Sequence, residues 1–219
     1  MASAVLHLVT DRQEARGALG AMVASAVRGG VDAVQVREKG RPALDVLVAV
    51  REVQQALTGL AALVLVNDRA DVALAAGAQG VHLPGRGLPV PVARRLLPRP
   101  SGGLLGVSVH SLAEARQAAA EGADYVTFGH VLPTPGKAGL PAAGLDALAA
   151  VVEAVEVPVI AIGGIDARSV GRVLATGCAG VAVIRALLQE DDPRRAAAEL
   201  RAAMDRVART PRYVLRAPH

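Results

Sequence analysis

Gly122-Ala123-Asp124-Tyr125-Val126 is the stretch on which the fold turns, because the chain repeats it in nearly the same words. The companion phrases are Gly29-Gly30-Val31-Asp32-Ala33-Val34, Gly77-Ala78-Gln79-Gly80-Val81 and Gly177-Cys178-Ala179-Gly180-Val181. Each reads as a glycine closing a helix in a left-handed C′ position, followed at once by entry into a buried strand. They recur at roughly fifty-residue intervals and introduce every second strand. A four-fold repeat of two βα units suits a closed barrel and not an open sheet, whose edges would break the symmetry.

Working outward, eight strands are expected: Ala4–Thr10, Asp32–Arg37, Leu63–Asn67, Gly80–Leu83, Leu104–Val109, Tyr125–Gly129, Pro158–Ile162 and Gly180–Ile184. Helical spacing marks Glu14–Arg28, Ala43–Leu57, Leu112–Glu121, Gly144–Val155 and Pro193–Ala208, with a short helical piece at Arg185–Gln189. The fold predicted is α/β, a single (β/α)8 TIM barrel over residues 1–209, followed by a C-terminal tail at 210–219. The Pro- and Gly-rich stretch 98–103 is short enough to be a loop, so no linker divides the chain.

Composition agrees with a buried parallel sheet. Hydrophobic residues make up 52% of the 219, yet Tyr125, Phe128 and Tyr213 are the only aromatics, so the core must be aliphatic. The net charge is only +4, and no basic run is interleaved with aromatics, which excludes a nucleic-acid surface. Cys178 is the sole cysteine, so no internal disulfide can form. No apolar run is long enough for a membrane span and the N-terminus does not read as a secretion signal. A cytoplasmic protein is expected, without nucleic-acid or membrane partners. A homodimer is compatible with this layout, since small barrels often pair through their helices.

Barrel enzymes work at the loops that follow the strands. Thr10-Asp11 follow the first strand, and Gln35, Arg37, Glu38 and Lys39 close the second. Asn67-Asp68 end the third, His82 lies on the fourth, and Ser108 and His110 close the fifth. The sixth leads to His130 and Thr134-Pro135-Gly136-Lys137, the seventh to Gly163-Gly164, and the eighth to Val183, Ile184 and Arg185. Of 24 basic residues only Lys39 and Lys137 are lysine, and both fall on this face, where a compact charge can meet phosphate. The glycine pair and the strand-eight loop near Ile184 read as a backbone phosphate cradle. His7 and His82 read as strand histidines buried in the barrel, and His110 as a residue that shapes the loop after Ser108.

Seven stretches in the same order resemble the thiamine phosphate synthase/TenI superfamily along nearly the whole chain. They are Gln35-Val36-Arg37-Glu38-Lys39, Val66-Asn67-Asp68-Arg69, Gly80-Val81-His82-Leu83, Gly106-Val107-Ser108-Val109-His110-Ser111, Ala123-Asp124-Tyr125-Val126, Thr134-Pro135-Gly136-Lys137 and Ala161-Ile162-Gly163-Gly164-Ile165. The resemblance implies a thiazole phosphate ligand, and it implies one of two reactions. Synthases join hydroxymethylpyrimidine pyrophosphate to thiazole phosphate, with Mg2+ assisting departure of pyrophosphate. TenI-type tautomerases aromatise a carboxylated thiazole phosphate by moving a proton, without a metal.

Three departures point toward the tautomerase. Gly87 stands where synthases carry a second magnesium carboxylate, leaving Asp68 alone. Gly136 replaces a hydroxyl expected on pyrophosphate, and His130 replaces the usual proline. An imidazole can take a proton from one atom and return it to another at neutral pH. The leading expectation is therefore a metal-free thiazole tautomerase with His130 as its catalytic residue and no cofactor. Lys39 or Arg37 would hold the substrate carboxylate. Gln35, Asn67, Ser108, Thr134 and Lys137 complete the binding set, with Gly163, Gly164, Val183 and Ile184 on the phosphate. The alternatives are a synthase using Asp68 and Mg2+, supported by Gln35, Lys39 and Asp68, or a non-catalytic regulatory protein that binds thiazole phosphate.

Overall fold

The computed structural model describes residues 4–98 and 103–207; the expected tail at 210–219 lies outside them, as does most of the loop at 98–103. Eight parallel strands close on one another in chain order. They are β1 (Val5–Val9), β2 (Ala33–Val36), β3 (Leu63–Asn67), β4 (Gly80–Leu83), β5 (Leu104–Val109), β6 (Tyr125–Gly129), β7 (Val159–Ile162) and β8 (Gly180–Val183). The helices are α1 (Leu19–Arg28), α2 (Ala43–Ala56), α3 (Ala70–Ala76), α4 (Val90–Leu96), α5 (Leu112–Ala120), α6 (Gly144–Ala154), α7 (Val170–Leu174), α8 (Arg185–Leu188) and α9 (Pro193–Asp205). The barrel is the one expected. The expected first helix, Glu14–Arg28, begins instead at Leu19, because residues 14–17 belong to the loop over the barrel mouth.

Alternation along the strands builds two cores. Val5, Val9, Ala33, Leu65, Leu104, Tyr125 and Ile160 fill the lumen. Their neighbours Leu6, Leu8, Val34, Val64, Val66, Leu105 and Val126 face the helices. Both faces are covered, so the strands read as nearly continuous apolar runs.

The repeated phrase has a physical cause at the bottom of the barrel. Gly77, Gly122 and Gly177 have φ of 62°, 98° and 88°, the left-handed region that favours glycine. In the first copy that role falls to Gly30, at 112°, while Gly29 is helical. Gly29 is small for another reason: a Cβ there would lie 2.7 Å from Ala197 Cβ, so it lets α9 pack closely on α1. Two residues after each of three left-handed glycines, a side-chain oxygen reaches back to a strand amide. Asp32 accepts from Leu6 N–H at 2.7 Å, Gln79 from Val64 at 2.8 Å and Asp124 from Leu105 at 2.7 Å. Arg201 pairs with Asp32, and Arg94 with Asp124 at 2.7 Å. The bottom face is thus committed to stability, leaving the opposite end for chemistry.

Two helix starts are fixed by local chemistry. The Ser111 hydroxyl accepts from Glu114 N–H at 3.2 Å, and the Glu114 carboxylate accepts from His110 N–H at 2.6 Å. This is a capping box displaced by one residue. Asp192 caps α9 through Arg195 N–H at 3.1 Å, with Pro193 in the first turn.

Candidate active site

Parity places the expected residues at the mouth. Gln35, Asn67 and Ser108 occupy the inward register of Ala33, Leu65 and Leu104, at the C-terminal ends of β2, β3 and β5. Gln35 is nearly buried, whereas Asn67 and Ser108 are half-buried. Ile184 packs against the luminal core, while Val183 turns its side chain to the helices and can offer a ligand only its main chain.

The β1 loop ties two basic groups into this rim. Arg37 donates to Asp11 at 3.1 Å, and its amide donates to Thr10 Oγ1 at 2.9 Å. On the other side Glu14 accepts from Arg185 at 2.5 Å and from Gln189 at 2.6 Å. Lys39 and Lys137 are exposed, and neither forms an ion pair among the described residues. Their charges are therefore available to an anionic ligand.

The loops after β6, β7 and β8 converge. A Cβ on Gly163 would meet His130 Cα at 2.7 Å, and one on Gly164 would meet the Pro133 carbonyl oxygen at 2.5 Å. The glycine pair, at φ 102° and 70°, is thus required by the close approach of the β6 loop. A Cβ on Gly136 would lie 3.2 Å from Arg185 Nη2. The guanidinium of Arg185 therefore fills the space where the family pattern suggested a hydroxyl. The sequence reading assigned Arg185 no role; the signal available was its place directly after the eighth strand beside an otherwise unexplained glycine.

Asp68 lies on the far side of the mouth, exposed, in a left-handed conformation at φ 67° that non-glycine residues seldom adopt. Its amide donates to the His82 carbonyl at 2.9 Å, which holds the turn. A Cβ on Gly87 would stand 3.1 Å from Asp68 Oδ1 and 2.9 Å from Pro84 Cδ. Position 87 thus faces Asp68, and a side chain there would require Pro84 to shift. Among the described residues no three His, Cys, Asp or Glu side chains gather as a metal site. One carboxylate nevertheless suffices for a magnesium ion that also takes substrate phosphate oxygens, so Asp68 fits the minimal form of such a site.

His130 has its ring turned into its own loop, with Nε2 3.3 Å from the Leu140 carbonyl, and its carbonyl accepts from Ala143 N–H at 2.9 Å. His110 likewise joins β5 to β6, its Nδ1 2.5 Å from the Gly129 carbonyl. Inside the barrel, His82 is fully enclosed and its pKa is lowered to about 3, first by burial and then by the nearby His7. Its Nδ1 lies 3.0 Å from Tyr125 Oη, and its Nε2 2.8 Å from Ser108 Oγ and 3.2 Å from Thr127 Oγ1. His7 is also buried, its pKa lowered by burial to about 4, and neither ring nitrogen has a hydrogen-bond partner among the described residues. Tyr125 and Thr127 were missed by sequence reasoning, which saw them as strand residues only.

The fold is a single (β/α)8 barrel with basic side chains and a glycine pair at its mouth, and comparison places it in a family. Residues 6–187 match the family described as Thiamine monophosphate synthase, and the chain belongs to that family. It is 48% identical over 202 residues to a putative thiamine-phosphate synthase of Geobacter sulfurreducens, covering 91% of this chain and 93% of that one. It is 47% identical over 206 residues to the thiamine-phosphate synthase of Methanoculleus marisnigri, covering 93% and 95%. Among solved structures, a thiamine phosphate pyrophosphorylase from Pyrococcus furiosus superposes with a TM-score of 0.84 at 38% identity, covering 93% and 96%.

These relatives overturn the expected isomerase. Proteins this similar carry the name of the synthase, a transferase, and not of a tautomerase. The expectation had rested on His130 as proton carrier and on the loss of a carboxylate at position 87. Locally, His130 Nε2 lies 3.3 Å from the Leu140 carbonyl, and a side chain at position 87 would crowd Pro84.

Proposed function

We propose that this chain is a thiamine-phosphate synthase, coupling hydroxymethylpyrimidine pyrophosphate to thiazole phosphate. The observation that supports this reading is a mouth whose basic side chains and glycine amides lie in two arcs on opposite sides of an eight-strand ring. One arc, after β2 and β3, holds Lys39, Arg37 and Asp68. The other, after β6, β7 and β8, gathers Lys137, the amides of Gly163 and Gly164, and Arg185. A carboxylated thiazole phosphate could also span both arcs; what favours a diphosphate in the first is Asp68, a magnesium-ligating group that a metal-free reaction would not need, together with the synthase relatives.

In this reading Asp68 and Lys39 take the diphosphate, and the glycine pair with Arg185 takes the thiazole phosphate. Gln35, Asn67 and Ser108, inward between the arcs, orient the rings over the lumen. Magnesium bound at Asp68 would supply charge neutralisation to the departing diphosphate. Arg37, fixed by Asp11, holds a cation beside that group without needing to reorganise.

The test is a coupling assay with both substrates. Thiamine phosphate should form only with Mg2+ present and cease in excess chelator, and Asp68→Ala should lower the rate by about 100-fold. Tight binding of thiazole phosphate without any coupling, or coupling untouched by Asp68→Ala, would overturn the reading.

A further inference from the structure

We propose that Tyr125 and His82 are positioning residues that set the Ser108 hydroxyl as a hydrogen-bond donor toward substrate at the mouth. The inference rests on the synthase reading for the identity of that substrate, but its hydrogen-bond logic stands on geometry alone.

Strand register brings the three together. His82 on β4 pairs with Gly106 on β5, and Gly106 pairs with Tyr125 on β6. All three lie at one level of the lumen. A Cβ on Gly106 would collide with the Tyr125 ring, so the missing side chain is what lets the phenol cross β5 and reach His82. One layer nearer the mouth, Ser108 pairs with Thr127. The imidazole of His82 therefore stands between a buried phenol below and two hydroxyls above, at 3.0, 2.8 and 3.2 Å.

The proton inventory of this stack follows. Burial, then the Asp124 carboxylate, push the Tyr125 phenol up, and burial keeps His82 neutral. A neutral phenol and a neutral imidazole share one hydrogen bond at Nδ1. His82 is the one described side chain within hydrogen-bond distance of Tyr125 Oη, so the phenol donates and Nδ1 accepts. The single ring proton then sits on Nε2, whose shorter contact is Ser108 Oγ. Ser108 accepts there, and it also accepts from the Thr127 hydroxyl at 3.3 Å, so its own O–H is released to point away from the imidazole. Ser108 is half-buried at the C-terminal end of β5, where the two substrates must meet. Reversing the tautomer would make Nε2 take a hydroxyl proton, from Ser108 at 2.8 Å or Thr127 at 3.2 Å, and the nearer serine would then lose its donor toward the mouth. A buried network of this kind is worth having only when every member is satisfied, and here Tyr125 sets its direction.

Two measurements test this. In protein labelled with 15N-histidine, long-range proton–nitrogen spectra at neutral pH should show His82 protonated on Nε2, and Tyr125→Phe should convert part of it to the Nδ1-protonated form. In the coupling assay, Ser108→Ala and Tyr125→Phe should each lower kcat by about ten-fold, the factor for one net hydrogen bond lost, with thiazole phosphate KM little changed. The double variant should be no slower than Ser108→Ala, because Tyr125 acts only through that hydroxyl. Multiplicative losses in the double variant would overturn the proposal, as would an Nδ1-protonated His82 in the parent protein. A parent protein that does not couple the two substrates would defeat the functional reading instead, and the tautomer spectrum would still decide the relay.

Discussion

Gly106→Ala is a one-carbon change with a large expected effect. The new methyl would occupy space already held by the Tyr125 ring, at a separation no pair of carbon atoms tolerates. The strand cannot yield, since β5 is paired on both sides, with β4 and with β6. The ring must therefore leave its place between β5 and the lumen, where it is wholly buried. Overpacking of this kind costs about 1–3 kcal/mol. The lost Tyr125–His82 hydrogen bond adds about 1 kcal/mol. For a domain of this size each kcal/mol lowers Tm by roughly 2–4 °C, so a fall of about 4–16 °C is expected by thermal unfolding. Adding Tyr125→Leu to Gly106→Ala should recover part of the loss, because it removes the colliding ring. A Gly106→Ala protein that melts within about 2 °C of the parent would refute the reasoning, as would a double variant less stable than the single.

Arg185→Ala should raise KM for thiazole phosphate by about 10–100-fold with a smaller effect on kcat, as expected for loss of a charge-assisted hydrogen bond to phosphate; an unchanged KM would remove Arg185 from the site. Acid should weaken the fold through His7. Its folded pKa of about 4 lies below the ordinary 6.5, so between these values the unfolded chain binds a proton that the fold does not. Stability is then fully present above pH 6.5 and is lost as pH falls toward 4, by about 1.4 kcal/mol per unit. Urea unfolding at pH 7 and pH 5 should show this, and His7→Leu should shrink the difference by about 2 kcal/mol; an undiminished difference would place the acid sensitivity elsewhere.

Most of the barrel was legible because its signals are local. A glycine that must be left-handed, such as Gly77 or Gly122, announces a helix end, and the apolar run after it announces a strand. For β3 through β6 the expected and observed bounds coincide. The mouth was legible to the extent that chain order alone puts a residue there, as it does for Lys39, Asn67, Ser108 and Lys137. What chain order does not show is partnership. His82 and Tyr125 are 43 residues apart in sequence, and Arg185 reaches Glu14 across 171. The one available hint was parity: an inward tyrosine on β6 needs an inward gap on the next strand, and Gly106 is that gap.

The mistaken isomerase shows why partnership matters for chemistry. Gly87, Gly136 and His130 were each weighed alone, as a lost carboxylate, a lost hydroxyl and a gained base. In the fold each has a counterpart. Gly87 lies under Pro84, Gly136 lies against the Arg185 guanidinium, and His130 is turned to the Leu140 carbonyl. Two of these pairs alter the charge and shape of the mouth. The arc after β8 presents a guanidinium where the β6 loop has no side chain, while the arc after β3 carries Asp68 in its left-handed turn. A departure from a family pattern argues for new chemistry only once its structural neighbours have been found, because a side chain's role is set by what it touches.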